Sequence, residues 1–208
     1  VSDDRFDPAE ARWLLGAQER TVRQALDVRL PEQLASWGLA RFVGLGAIWL
    51  QVRGQQPYVG PGPAAAIVFA ALLALVGVVT GRLTWSATSG IGGDAGRQGS
   101  LYGAGWGLGF AALWGLLGAL GNAGATPGVL GILGVTGALL VVGLMYLFGA
   151  ALWGVRPMGV LGCWLLVLAA GVGFAGPVTA TLAGSVLGGG AFLATAAWLR
   201  AVRSRCPR

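Results

Sequence analysis

Pro127-Gly-Val-Leu-Gly-Ile-Leu-Gly-Val-Thr-Gly-Ala-Leu-Leu-Val-Val-Gly-Leu-Met-Tyr-Leu-Phe-Gly-Ala-Ala-Leu-Trp-Gly154 carries no ionisable side chain except Tyr146. A helix needs about 20 mainly apolar residues to cross the hydrocarbon of a bilayer, and this run exceeds that. Its composition predicts a membrane span. The rest of the chain is built to the same plan. Of 208 residues 55% are hydrophobic and only 11% charged, against about 25% charged in a soluble domain. The mean hydropathy is +0.71. Glycine, at 38 residues, weakens helices in water but in lipid lets helix backbones approach closely.

Reading outward from that run, apolar stretches of spanning length fall at about 35–52, 62–81, 101–121, 127–153, 157–175 and 178–199. They predict an all-α polytopic protein with a six-helix transmembrane domain over 34–200. Turn-rich segments separate them: Arg53 to Pro63, Asn122 to Pro127, Arg156-Pro157 and Gly176-Pro177. Residues 82–100 form the longest and most polar interior connection. Its Gly90-Ile-Gly-Gly-Asp-Ala-Gly-Arg-Gln-Gly99 follows no strand and ends in no Lys-Ser/Thr, so neither nucleotide fingerprint is met and a flexible linker is expected.

Residues 1–33 are the one substantial water-compatible segment, with seven of the eight acidic residues. Asp7-Pro8-Ala9-Glu10 reads as a helix start, and Pro31 as its interruption just after Leu30. Ala11, Leu15, Val22 and Leu26 share a face, so an amphipathic helix on the cytoplasmic side is expected, lying along the membrane surface, packed on a partner or packed on its own bundle. Acidic Asp3, Asp4 and Asp7 stand where a signal peptide carries basic residues, so insertion is expected to be led by the first span.

Every basic residue is arginine, and the distribution sets the expected topology. With the N-terminus inside, Arg5, Arg12, Arg20, Arg23, Arg29, Arg82, Arg97, Arg156, Arg200, Arg203, Arg205 and Arg208 are cytoplasmic and only Arg53 is outside. Both termini are then cytoplasmic, with 201–208 a basic tail. The arginine-only usage and the Ala/Gly/Val/Leu bias point to a GC-rich bacterial genome, hence a bacterial plasma membrane. The arginines form no groove-reading patch, so nucleic acid is not an expected partner.

The spans hold no Asp, Glu, His or Lys. Proton relays, general acid–base catalysis and zinc sites all need such groups, so no catalytic, cofactor or metal residue is assigned and a non-enzymatic protein is expected. Cys163 and Cys206 are too few and too far apart for a thiolate site. Arg41 is the one charged side chain inside a span, and it either snorkels to the inner surface or faces the bundle interior as an anion- or partner-contacting group. Thr181 and Ser185, with Gly189, share one stripe of the last span, a packing seam or a polar lining. Small residues repeat every four positions at Gly103, Gly107, Ala111 and Gly115, and again at Ala180, Gly184 and Gly188. Both rows match the pattern for close helix contact, within the chain or with another subunit. The spans also group as three hairpins with similar tryptophan and arginine endings, either a repeat or the usual interfacial placement of those residues.

The charged leader, Leu101-Tyr-Gly-Ala-Gly-Trp106, Tyr146-Leu-Phe-Gly-Ala-Ala-Leu-Trp153 and Gly188-Gly-Gly-Ala-Phe-Leu193 together resemble small six-span integral membrane proteins of actinobacteria that have no assigned function. The resemblance implies a transport-associated role. The expected function is an accessory subunit that binds other membrane components, with the lipid bilayer and either another membrane subunit or a cytoplasmic ATPase as partners. The alternative is the permease subunit of an ABC-type exporter working with a separate cytoplasmic ATPase, suggested by the span count and the helix before the first span.

Overall fold

The computed structural model describes residues 8–88 and 94–205. The Asp7 cap, Cys206 and the end of the basic tail, and the middle of the 82–100 connection lie outside the described residues. So do the side chains of Ala11, Leu15, Val22 and Leu26. Among the described residues the protein is all-helical: α1 (Pro8–Val52), α2 (Pro63–Thr88), α3 (Asp94–Asn122), α4 (Pro127–Trp153), α5 (Arg156–Val172), a 3₁₀ turn (Gly173–Ala175), α6 (Pro177–Ala183), a π-helical segment (Gly184–Gly189) and α7 (Gly190–Arg205).

Among the described residues, five stretches are long and apolar enough to cross a membrane: Pro63–Arg82, Gly96–Asn122, Pro127–Trp153, Arg156–Ala175 and Pro177–Arg205. They make the architecture that of a multi-pass membrane protein. The boundaries of α4 have local causes. Thr126 caps the start, its Oγ1 accepting from the Val129 N–H at 3.4 Å, and Pro127 at the first helical position needs no hydrogen bond there. Gly154 ends it in the left-handed conformation, φ 67°, donating to the Ala150 carbonyl at 2.8 Å, a position that a residue with Cβ adopts only with strain.

Two expectations from the sequence are corrected. Pro31 does not interrupt the leader: α1 runs unbroken over 45 residues with Pro31 inside it. A proline in a helix interior costs about 3 kcal/mol, and here its ring is fully buried beside Leu34, so packing holds the helix together across it. The second correction concerns 82–100, which is not a linker throughout: α2 continues to Thr88 and α3 begins at Asp94. Helices that leave the hydrocarbon go on for as long as their backbone bonds do, and Gly90, Gly92 and Gly93, the residues least suited to a helix, stand between those ends.

The bundle has a centre and a periphery. α4 packs most extensively on α5, while α1 packs on α2, on α6, on α7 and on the π segment. The core gathers Leu34 from α1, Leu139, Val142 and Tyr146 from α4, Leu165 and Leu168 from α5, and Phe192 and Ala196 from α7. α2 lies on α1 and α3 on α4 at the outside. The spanning window of α2 is 0% buried and that of α3 6%, against 22–33% for the other three. The third hairpin is not a close pair like the first two. α5 sits on α4, and the α6–π–α7 segment sits mainly on α1.

Four of the helix contacts also carry a polar clasp. Trp37 Nε1 donates to Thr80 Oγ1 at 3.1 Å, joining α1 to α2. Tyr102 Oη donates to the Met145 carbonyl at 3.1 Å, joining α3 to α4. Ser185 Oγ donates to the Phe42 carbonyl at 2.8 Å, and Trp164 Nε1 donates to the Leu187 carbonyl at 3.0 Å. Each such bond contributes about 0.6–1.7 kcal/mol in a membrane.

Candidate functional site

Arg41 occupies the middle of the stripe Leu34–Arg41–Ile48, which α1 turns toward the bundle interior. Its neighbours on that stripe are buried apolar side chains, and Arg41 itself is only 8% exposed. It does not snorkel outward. Its guanidinium carbon lies 5.5 Å from the centroid of the Phe192 ring. Phe192 meets Tyr146 edge-on at 5.3 Å, and Tyr146 meets Trp106 edge-on at 6.0 Å. Trp106 stacks on Phe110 at 6.2 Å and abuts Tyr102, which in turn lies 4.6 Å from Trp153. Side chains from α1, α3, α4 and α7 are thus joined through one aromatic cluster with a single cation at its edge.

The depth of that cation can be read from α1. Glu32 pairs with Arg200 at 3.9 Å, both side chains 57% exposed, at the end of the bundle that carries the arginines. Arg41 lies about 13 Å further along the helix, at ~1.5 Å per residue. An arginine at mid-membrane costs about 2.5–3.5 kcal/mol on insertion scales. A cation over an aromatic face recovers about 0.5–2 kcal/mol, so the Phe192 ring offsets part of that cost. Among the described residues no carboxylate pairs with Arg41.

The other predicted residues fall into two groups. In the last span Ala180, Thr181, Gly184, Ser185 and Gly188 are all buried. A Cβ on Gly184 would meet Val135 at 2.9 Å and Leu45 at 3.2 Å, and one on Gly188 would meet Leu139 at 3.3 Å. Thr181 Oγ1 donates to its own helix at the Pro177 carbonyl, 2.8 Å away, and Ser185 is committed to Phe42. The stripe is a packing seam against α1 and α4, not the lining of a path. Backbones touch most closely beside it: a Cβ on Gly189 would lie 2.8 Å from the Phe42 nitrogen, and one on Gly38 would lie 2.8 Å from the Phe192 Cβ. The π segment sits at this crossing.

In α3 the outcome is the opposite. Gly103, Gly107, Ala111 and Gly115 are exposed, and a Cβ added to any of the three glycines would meet nothing within 4 Å. The face that packs on α4 is two positions round, with Gly105 against Met145, Gly109 against Val141 and Leu113 against Gly137. Two positions are about 200° on a helix, so the predicted row and the packed row look in opposite directions. The packed face had its own sequence signal. Tyr102, Trp106 and Phe110 recur every four residues beside Gly105 and Gly109, placing large side chains next to small ones, as a close helix contact needs.

Among the described residues no three His, Cys, Asp or Glu side chains gather as metal ligands, and the free Cys163 thiol is exposed alone. A cavity of about 250 Å³ between α4 and α5 is lined by Leu133, Thr136, Gly137, Leu140, Leu166 and Ala169. Thr136 spends its hydroxyl on the Ile132 carbonyl at 2.8 Å, so this groove is apolar in effect. No family model matches the sequence, and neither a curated protein nor a solved structure is significantly similar to it.

Proposed function

We propose that this chain is a non-enzymatic accessory subunit of the bacterial plasma membrane, crossing it six times with both termini in the cytosol and binding another membrane protein through α3. The sixth span is the 35–52 half of α1. Arg41 and Gln51 lower its apolarity, yet α2 and the last span pack on it, with Leu34, Ala40, Ile48 and Val52 all buried. The arginine distribution supports the orientation. The resemblance to small six-span actinobacterial proteins supports a transport-associated role.

The observation that carries the partner is the open row Gly103, Gly107, Ala111 and Gly115. Small residues at four-residue spacing let a second helix approach closely, and no described residue of this chain occupies that face. Single cysteines placed at Gly103, Gly107 or Ala111, in a Cys163→Ser, Cys206→Ser background, test it in native membranes. Cross-linking to one discrete partner at these positions, and not from Gly105, supports the reading. Uniform labelling by a lipid-soluble reagent with no cross-linked species at any position refutes it. Gly107→Leu gives an independent check, since it should abolish co-purification of the partner while leaving the bundle folded.

A further inference from the structure

We propose that Arg41 anchors an oxyanion-binding site inside the membrane domain, taking a single phosphate group. Four observations lead there. Arg41 is more than nine-tenths buried, with the Phe192 ring beside its guanidinium. No Asp or Glu occurs in 33–93 or in 95–208, so the membrane-embedded sequence has no carboxylate with which to neutralise it. The guanidinium carbon lies 5.5 Å from the centroid of the Phe192 ring, and a guanidinium binds a phosphate through two parallel in-plane N–H hydrogen bonds. Finally, Tyr146 shares the Phe192 platform at 5.3 Å and brings a neutral hydroxyl donor to the same cluster.

The fold also offers an approach. α1 packs on α2, α6 and α7, and α3 packs on α4, but α1 and α3 make no extended contact with each other. The seam between them, with Trp106 on the α3 side, is the entry we assign to the ligand. A phosphate is presented either by a free anion or by a lipid headgroup, and the same chemistry at Arg41 serves both. Arg41 is the binding residue, and Phe192 and Tyr146 position it.

The test uses the full chain in two arms. In the first, protein freed of anionic lipid in dodecylmaltoside is titrated with radiolabelled inorganic phosphate by equilibrium dialysis. In the second, nanodiscs of phosphatidylcholine with graded phosphatidylglycerol are scored by native mass spectrometry for retained phosphatidylglycerol. Saturable binding of one ligand per chain is expected in at least one arm. Saturation with inorganic phosphate alone assigns a free oxyanion, and retention of phosphatidylglycerol alone assigns a lipid. Arg41→Gln should weaken binding at least tenfold, and Arg41→Lys and Tyr146→Phe severalfold, with helicity by circular dichroism unchanged. If Arg41→Gln does not fold, the two milder variants carry the comparison. No saturable binding in either arm overturns the proposal, and so does wild-type affinity in Arg41→Gln or, should that variant be lost, in both milder ones. The α3 cross-linking result does not depend on either outcome.

Discussion

Replacing Gly189 by alanine adds one methyl group at the closest backbone crossing in the bundle. That carbon would sit 2.8 Å from the Phe42 nitrogen, 3.0 Å from the Phe42 Cα and 3.1 Å from the Gly38 carbonyl oxygen, all backbone atoms of α1. Carbon contacts are comfortable at about 3.5–4.0 Å, so α1 must retreat by roughly 0.5–1 Å. No flexible side chain is available to absorb the shift. The same retreat stretches the Ser185–Phe42 bond, now 2.8 Å, at the neighbouring turn. Overpacking of this kind costs about 1–3 kcal/mol. At about 1.4 kcal/mol per decade, that is a fall of roughly 5- to 150-fold in the folding equilibrium. The comparison variant is Gly107→Ala, where a Cβ meets nothing within 4 Å and the better helix former contributes up to about 1 kcal/mol in its favour. Reversible unfolding in mixed dodecylmaltoside–SDS micelles, followed by tryptophan fluorescence, ranks the two. Equal midpoints for Gly189→Ala and wild type, or an equal fall in Gly107→Ala, would refute the assignment of packed and open faces.

Two further outcomes follow from single contacts. Ser185→Ala removes the donor to the Phe42 carbonyl and should lower stability in the same assay by about 0.6–1.7 kcal/mol; a loss no larger than that of Thr195→Ala, whose hydroxyl bonds only its own helix, counts against an interhelical role. Tyr58 lies in the connection between α1 and α2, where Gln51 and Gln55 accept from the backbone of Gly62, Val59 and Gly60 and Tyr58 itself rests against Gly131 of α4. Burial pushes its phenol above the ordinary value. A proton held more tightly in the folded state stabilises the fold in full below the ordinary tyrosine pKa of about 10, and that contribution is lost as pH rises through the raised value. Tyr58→Phe should therefore remove part of the alkaline destabilisation, and an unchanged alkaline transition in the variant would exclude Tyr58 as its source.

Helix class and most helix ends were legible because each depends on a few adjacent residues. Pro127 after Thr126, Gly154, and Gly176-Pro177 act within one turn of backbone, and α4 starts and stops where they place it. Pro31 misled because its local cost is overruled by long-range burial next to Leu34. Residues 82–100 misled because polarity marks the exit from lipid and not the end of a helix. At the candidate site, the sequence singled out Arg41 by its charge alone. It held nothing to say that Phe192, some 150 residues away, would supply the ring beneath it.

What the sequence determined by itself is the solvent. A chain with 55% hydrophobic and 11% charged residues has too little polar surface for water, a property that sums over residues without reference to their partners. What only the tertiary structure decided is which side of each helix meets protein. Two rows of small residues with the same spacing point one way in α3 and the other way in the last span. The one in the last span is filled by α1 and α4, and the one in α3 is left open. Small residues permit a close approach without naming the helix that makes it. That choice belongs to the large side chains opposite, Met145 against Gly105, Val141 against Gly109 and Phe192 against Gly38, and they come together only once the chain has folded.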